Sequence, residues 1–240
     1  MSITSPSNAW ARGWIAALPA YGLVVGYATL KPQPDPSSNP EAWAEFVSSR
    51  SYLLEHLASG VVGAVLAIFG TFALGSLLTD SRAGRSTLWG TFLAVTGHIL
   101  FLVPGTISTF ATPAIGTAYL SGNREVMAMA FSPALTAIFG IALLFAVIGN
   151  VILGLAIWRS GVLPKWTGVI WIAAALVFYA FGAVVGMATT GASLPTQPVG
   201  GLLMAVSSGG IAWTVLRSPS SPSRTAPDLT AGRPVPHTSH

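Results

Sequence analysis

Residues 52–78 read YLLEHLASGVVGAVLAIFGTFALGSLL and residues 87–105 read TLWGTFLAVTGHILFLVPG, with the basic turn Asp80-Ser81-Arg82-Ala83-Gly84-Arg85 between them. Each run is long enough to cross a bilayer as a helix, which takes roughly 18 to 20 apolar residues. The two runs also hold the only carboxylate and imidazoles inside expected spans: Glu55 and His56 near the start of the first, His98 in the middle of the second. Such groups are costly in hydrocarbon and usually face a protein interior or a wet cavity. They are the candidate site.

Working outward, 240 residues that are 52% hydrophobic and only 8% charged, with a mean hydropathy of +0.67, describe a membrane protein. Soluble domains carry roughly 25% charged residues. The expected fold class is all-α, a polytopic bundle of six transmembrane helices. Without cysteine there is no disulfide framework, thiolate metal site or thiol nucleophile. The net charge of +4 sits at the ends of the apolar runs and forms no basic stripe, so no nucleic-acid partner is expected.

The six spans are placed at Trp10–Leu30, Tyr52–Leu78, Thr87–Gly105, Ala134–Trp158, Trp166–Met187 and Val199–Leu216. Residues 10–216 thus form one transmembrane domain. Residues 1–9 and the Pro/Ser/Thr-rich tail 217–240 lack the apolar residues to pack and are expected to be disordered. The positive flank and apolar stretch of the first span also fit a cleaved signal. No clear small-x-small cleavage site precedes Lys31–Asn39, which favours a retained helix.

Two connectors are long, Lys31–Ser51 and Thr106–Phe131, and both carry helix signals. Asn39-Pro40-Glu41 combines a capping amide, a first-turn proline and an acid near the helix N-terminus. Trp43, Phe46 and Val47 then fall on one face, giving a short amphipathic helix on the membrane surface or folded over the bundle. Thr112-Pro113 could cap one helix up to Gly122, and Asn123 another through Phe131. The connections Thr79–Ser86 and Arg159–Lys165 are tight turns. Eight Lys and Arg fall on the side of the tight turns against three on the other, so both termini are expected in the cytoplasm and the long connectors outside.

Glu55 and His56 lie about 5 Å inside the second span, with Ser59 on the face of Glu55. They read as a proton-handling or ligand-binding pair at an outward mouth, or as interfacial rim. His98 sits near the midplane. It reads as a proton relay, a haem or metal ligand or a partner for a quinone-like substrate, or as a neutral imidazole bonded to Asn150, Thr96 or a backbone carbonyl. Asn150, central in the fourth span, reads as a ligand contact or as a link between helices. Because His56 and His98 differ in depth by about 10 Å, they do not fit one iron, and no metal or cofactor is expected. The small-residue rows Ser59, Gly63, Ala67 and Gly182, Gly186 let helices approach closely, within the bundle or in a homo- or hetero-oligomer.

The turn Ala156-Ile157-Trp158-Arg159-Ser160-Gly161-Val162-Leu163-Pro164-Lys165-Trp166-Thr167-Gly168 resembles a pattern in uncharacterised bacterial multi-pass membrane proteins, the small domain-of-unknown-function families of high-GC genomes. The resemblance implies a six- or seven-helix protein of the bacterial inner membrane and carries over no catalytic residue. The leading reading is a lipid-embedded bundle that binds or transports a small or lipidic ligand in an outward-facing pocket lined by Glu55, His56, Ser59, His98 and Asn150. The rivals are an intramembrane enzyme on an isoprenoid or lipid, and a non-catalytic partner subunit.

Overall fold

The computed structural model describes residues 6–130, 132–190 and 193–218. Among these all regular structure is helical: α1 (Pro6–Trp14), α2 (Ala17–Ala28), α3 (Pro40–Val47), α4 (Arg50–Leu78), α5 (Gly84–Phe110), α6 (Thr112–Leu120), α7 (Pro133–Ser160), α8 (Lys165–Thr189) and α9 (Gln197–Arg217), with a 3-10 turn at Arg124–Val126 and one helical turn at Met127–Ala130 between α6 and α7. The tail expected to be disordered lies outside the described residues from 219 onward. At the other end α1 begins at Pro6, inside the segment 1–9 for which no helix was expected.

Five helical stretches are long and apolar enough to cross a membrane: Arg50–Leu78, Gly84–Leu120, Pro133–Ser160, Lys165–Thr189 and Gln197–Arg217. This is a multi-pass membrane protein. Of the six expected spans the first, Trp10–Leu30, is not among these five: it is divided between α1 and α2. Pro19 has no N–H to offer the carbonyl of Ile15. That carbonyl instead accepts from Leu18 N at 3.3 Å, which tightens the chain into a turn between the two helices.

The third span also differs. Pro104 does not end it; α5 runs through the proline to Phe110, and after a turn at Ala111 the chain continues as α6. A proline removes one ladder bond, whereas non-helical backbone facing lipid would leave several polar groups unpaired. The connector helix α3 starts at Asn39, whose side chain accepts from Ala42 N at 3.2 Å. Its apolar face is turned onto α6: Trp43, Ala44 and Val47 are buried with Tyr52 and Tyr119.

Small residues set the packing of the long helices. A Cβ on Gly97 would lie 2.6 Å from Ala146 N, so α5 and α7 touch backbone to backbone. Gly22 against Ala205 and Gly26 against Gly201 do the same for α2 and α9, and Gly154 against Gly168 for α7 and α8. In each pair the numbers run in opposite senses, so the neighbours are antiparallel. Residues 79–83 and 161–164, the two tight turns, therefore share one end of the bundle, and α3 and α6 cover the other. Arg12 stands at the tight-turn end, donating to Leu216 O at 3.2 Å and Ser218 O at 2.9 Å, where it caps the C-terminus of α9.

The outer surface is apolar where a bilayer would touch it: Leu23, Phe92, Leu144, Val169 and Leu202 are all more than half exposed. Tryptophans 10, 14, 89, 158, 166 and 213 are exposed near helix ends, at the depth of membrane interfaces. Trp171, by contrast, is buried in the main core with Leu74, Leu143 and Ile157.

Candidate functional site

Two of the long helices are locally widened into π segments, Leu57–Val62 in α4 and Leu176–Val185 in α8. Such bulges are frequent at functional sites. Here both border a cavity of about 380 Å³, Ser59 and Gly60 lining it from one segment and Phe178, Tyr179 and Ala183 from the other. It extends from His98 toward the connector end, where Gln33, Trp43, Thr112 and Ser193 line it. Pockets of about 300–1,000 Å³ with mainly apolar walls are the usual size for small-molecule sites.

Three polar groups form a chain at the deep end. His98 Nδ1 lies 2.8 Å from the carbonyl of Ala94. A carbonyl only accepts, so Nδ1 carries a proton, and in the neutral ring Nε2 is then an acceptor. Tyr179 donates to Nε2 across a long 3.4 Å, and Tyr21, 2.6 Å from the Tyr179 oxygen, donates to Tyr179 in turn. One carbonyl thus sets the direction of three hydrogen bonds. Tyr21, Tyr179 and His98 come from α2, α8 and α5 and are all buried, so the chain joins three helices in the cavity wall.

Nearer the connectors, His56 stacks on Tyr52 with ring centres 3.7 Å apart. Its Nδ1 bonds the Tyr52 carbonyl at 3.0 Å, while the Tyr52 hydroxyl reaches Ser108 Oγ at 2.7 Å. Ser59 donates to the carbonyl of Glu55 at 2.7 Å. Gln197, in the first turn of α9, also lines the cavity; its side chain is nine-tenths buried and has no hydrogen-bond partner among the described residues. Among the described residues that line the cavity, none is Asp, Glu, Lys or Arg.

The structure brings His56, Ser59 and His98 to this cavity and leaves Glu55 and Asn150 out of it. Glu55 lines a separate, more open depression between α2 and α4 with Leu23, Tyr27 and Leu54. Adjacent helical positions point about 100° apart, so Glu55 and His56 cannot face one hollow. Asn150 is occupied between helices: its Nδ2 donates to Ala146 O at 2.9 Å and its Oδ1 accepts from Trp171 Nε1 at 3.1 Å. Among the described residues no three His, Asp or Glu side chains converge as metal ligands would.

A model for a family described as a domain of unknown function, DUF4386, matches residues 13–220. The chain belongs to that family. No curated protein and no solved structure matches it. The matched region takes in every helix from α2 to α9 and all the cavity residues, so the cavity is part of the family domain.

Tyr21, Tyr179 and Gln197 are the site residues that sequence reasoning missed. A tyrosine in the middle of an apolar span was the available signal, because a buried phenol generally needs a partner.

Proposed function

We propose that this membrane protein binds or transports a small or lipidic molecule in the cavity between His98 and the connectors. The observation that carries the reading is a mainly apolar chamber with neutral hydrogen-bonding groups at both ends and no Asp, Glu, Lys or Arg among the described residues of its wall. An intramembrane enzyme would need an acid and a base converging on a reacting atom. Here both ring nitrogens of His98 are engaged and Glu55 faces elsewhere. As for a partner subunit, Gly63 faces Tyr21 and Val25, and Gly182 faces Gln197, so these small-residue faces are used within the chain.

In this reading α1 and α2 together make a sixth crossing, the basic tight-turn end lies in the cytoplasm of a bacterial cell, and the cavity opens outward beneath α3 and α6. The test of binding is purification with native lipids and mass spectrometry of co-bound molecules in wild type, His98→Ala and Tyr179→Phe. An identical profile in all three, or no bound molecule in any, would remove the cavity from the account. Orientation is checked in the naturally cysteine-free chain. A membrane-impermeant thiol reagent on intact cells should label Ser38→Cys and spare Asp80→Cys, and the reverse pattern would invert the topology.

A further inference from the structure

The hydrogen atoms around the cavity point to the class of ligand, given that the cavity is a binding site as proposed above. The hydroxyls of Thr29, Ser59 and Thr136 donate to the carbonyls of Val25, Glu55 and Ser132 on their own helices, at 2.8, 2.7 and 3.3 Å. His56 and His98 commit their Nδ1 protons to Tyr52 O and Ala94 O. The Tyr179 and Tyr21 protons run along the chain to His98 Nε2. What these groups turn to an incoming molecule is therefore lone pairs.

Lone pairs are concentrated on one face of α4. His56 Nε2 has no partner among the described residues, and Ser59, three residues on and so on the same helical face, has its oxygen free to accept. Donors remain in the amides of Gln33 and Gln197, the Ser193 hydroxyl, and one proton retained by the Tyr52–Ser108 pair. A hydroxyl matches this arrangement, since it gives one proton and can accept one in return. A phosphate or carboxylate would meet no Lys or Arg among the described lining residues, and burying an unpaired charge is strongly unfavourable.

We infer that the cavity takes a neutral lipid alcohol, whose hydroxyl donates to His56 Nε2 while its hydrocarbon lies against Phe101, Phe139 and Phe178. An ether or ester of the same alcohol keeps the hydrocarbon and an acceptor oxygen but leaves the imidazole lone pair unmatched.

The experiment offers the purified full-length chain in detergent micelles equal amounts of farnesol and farnesyl methyl ether, and reads the bound species by native mass spectrometry. Farnesol should exceed the ether by at least about fivefold, as expected for loss of one buried hydrogen bond. The ratio should fall to near one in His56→Phe, which keeps a ring to stack on Tyr52, and fall partway in Ser59→Ala, which provides a second reading if the first variant does not fold. Equal retention of both probes by wild type overturns the alcohol assignment and leaves the cavity a binding site. Retention of neither overturns both, and a preference unchanged in both variants overturns the role of His56.

Discussion

Of the two readings the sequence leaves for Asn150, ligand contact or link between helices, the structure shows the link, to Trp171, and a double-mutant cycle with Trp171 measures it. Both side chains are at least 98% buried, and their bond is 3.1 Å long. In a water-soluble core, leaving the indole N–H unpaired would cost about 1–3 kcal/mol. Interhelical bonds in membranes average about 0.6 and reach about 1.7 kcal/mol, because the dissociated helices find other partners. With both partners fully buried, a coupling of about 1 kcal/mol is expected, toward the upper part of the membrane range. Asn150→Leu keeps the number of side-chain heavy atoms but is bulkier, and should lose at least about that much. Trp171→Phe should lose more, because it also leaves unfilled space in the core. The double variant should be more stable than the sum of the two losses by the coupling energy. Reversible unfolding in mixed detergent micelles, followed by far-UV circular dichroism, supplies the four stabilities. Additivity within about 0.3 kcal/mol would mean that the bond carries no energy and that Asn150 is available for another task.

The α5–α7 seam offers a second check: Gly97→Ala should destabilise by about 1–3 kcal/mol through overpacking against Ala146. Gly140→Ala on α7, where a Cβ meets nothing within 4 Å, should be neutral or gain up to about 1 kcal/mol of helix propensity; equal effects in the same unfolding assay would contradict the backbone contact. Tyr179→Phe strands the Tyr21 hydroxyl and His98 Nε2 together, so a loss of about 1–3 kcal/mol is expected. Full stability in that variant would show that the three-residue chain is not coupled. Replacing Arg12 with Gln removes the cation at the end of α9 and should cost about 0.3–1 kcal/mol, less in high salt. Glu41→Gln breaks the solvent-exposed Arg124–Glu41 pair at 3.3 Å and should leave the melting temperature unchanged.

Composition and periodicity determined by themselves that the chain is an all-helical, multi-pass membrane protein, because hydrocarbon admits little else for long apolar runs. The cap at Asn39 was legible for a local reason: a capping side chain acts within three or four residues of itself. The tertiary structure alone decided that Pro19 splits the first expected span while Pro104 leaves α5 continuous, since the outcome depends on what surrounds the interrupted ladder. It also sorted the candidate polar residues. His56, Ser59 and His98 meet at a cavity, Glu55 turns away and Asn150 is taken by Trp171, while Tyr21 and Tyr179 join from helices 158 residues apart in the chain. Which side chains face one hollow depends on helix rotation and on where π segments shift the register. Both are set by backbone contacts between helices distant in sequence, which no single stretch encodes.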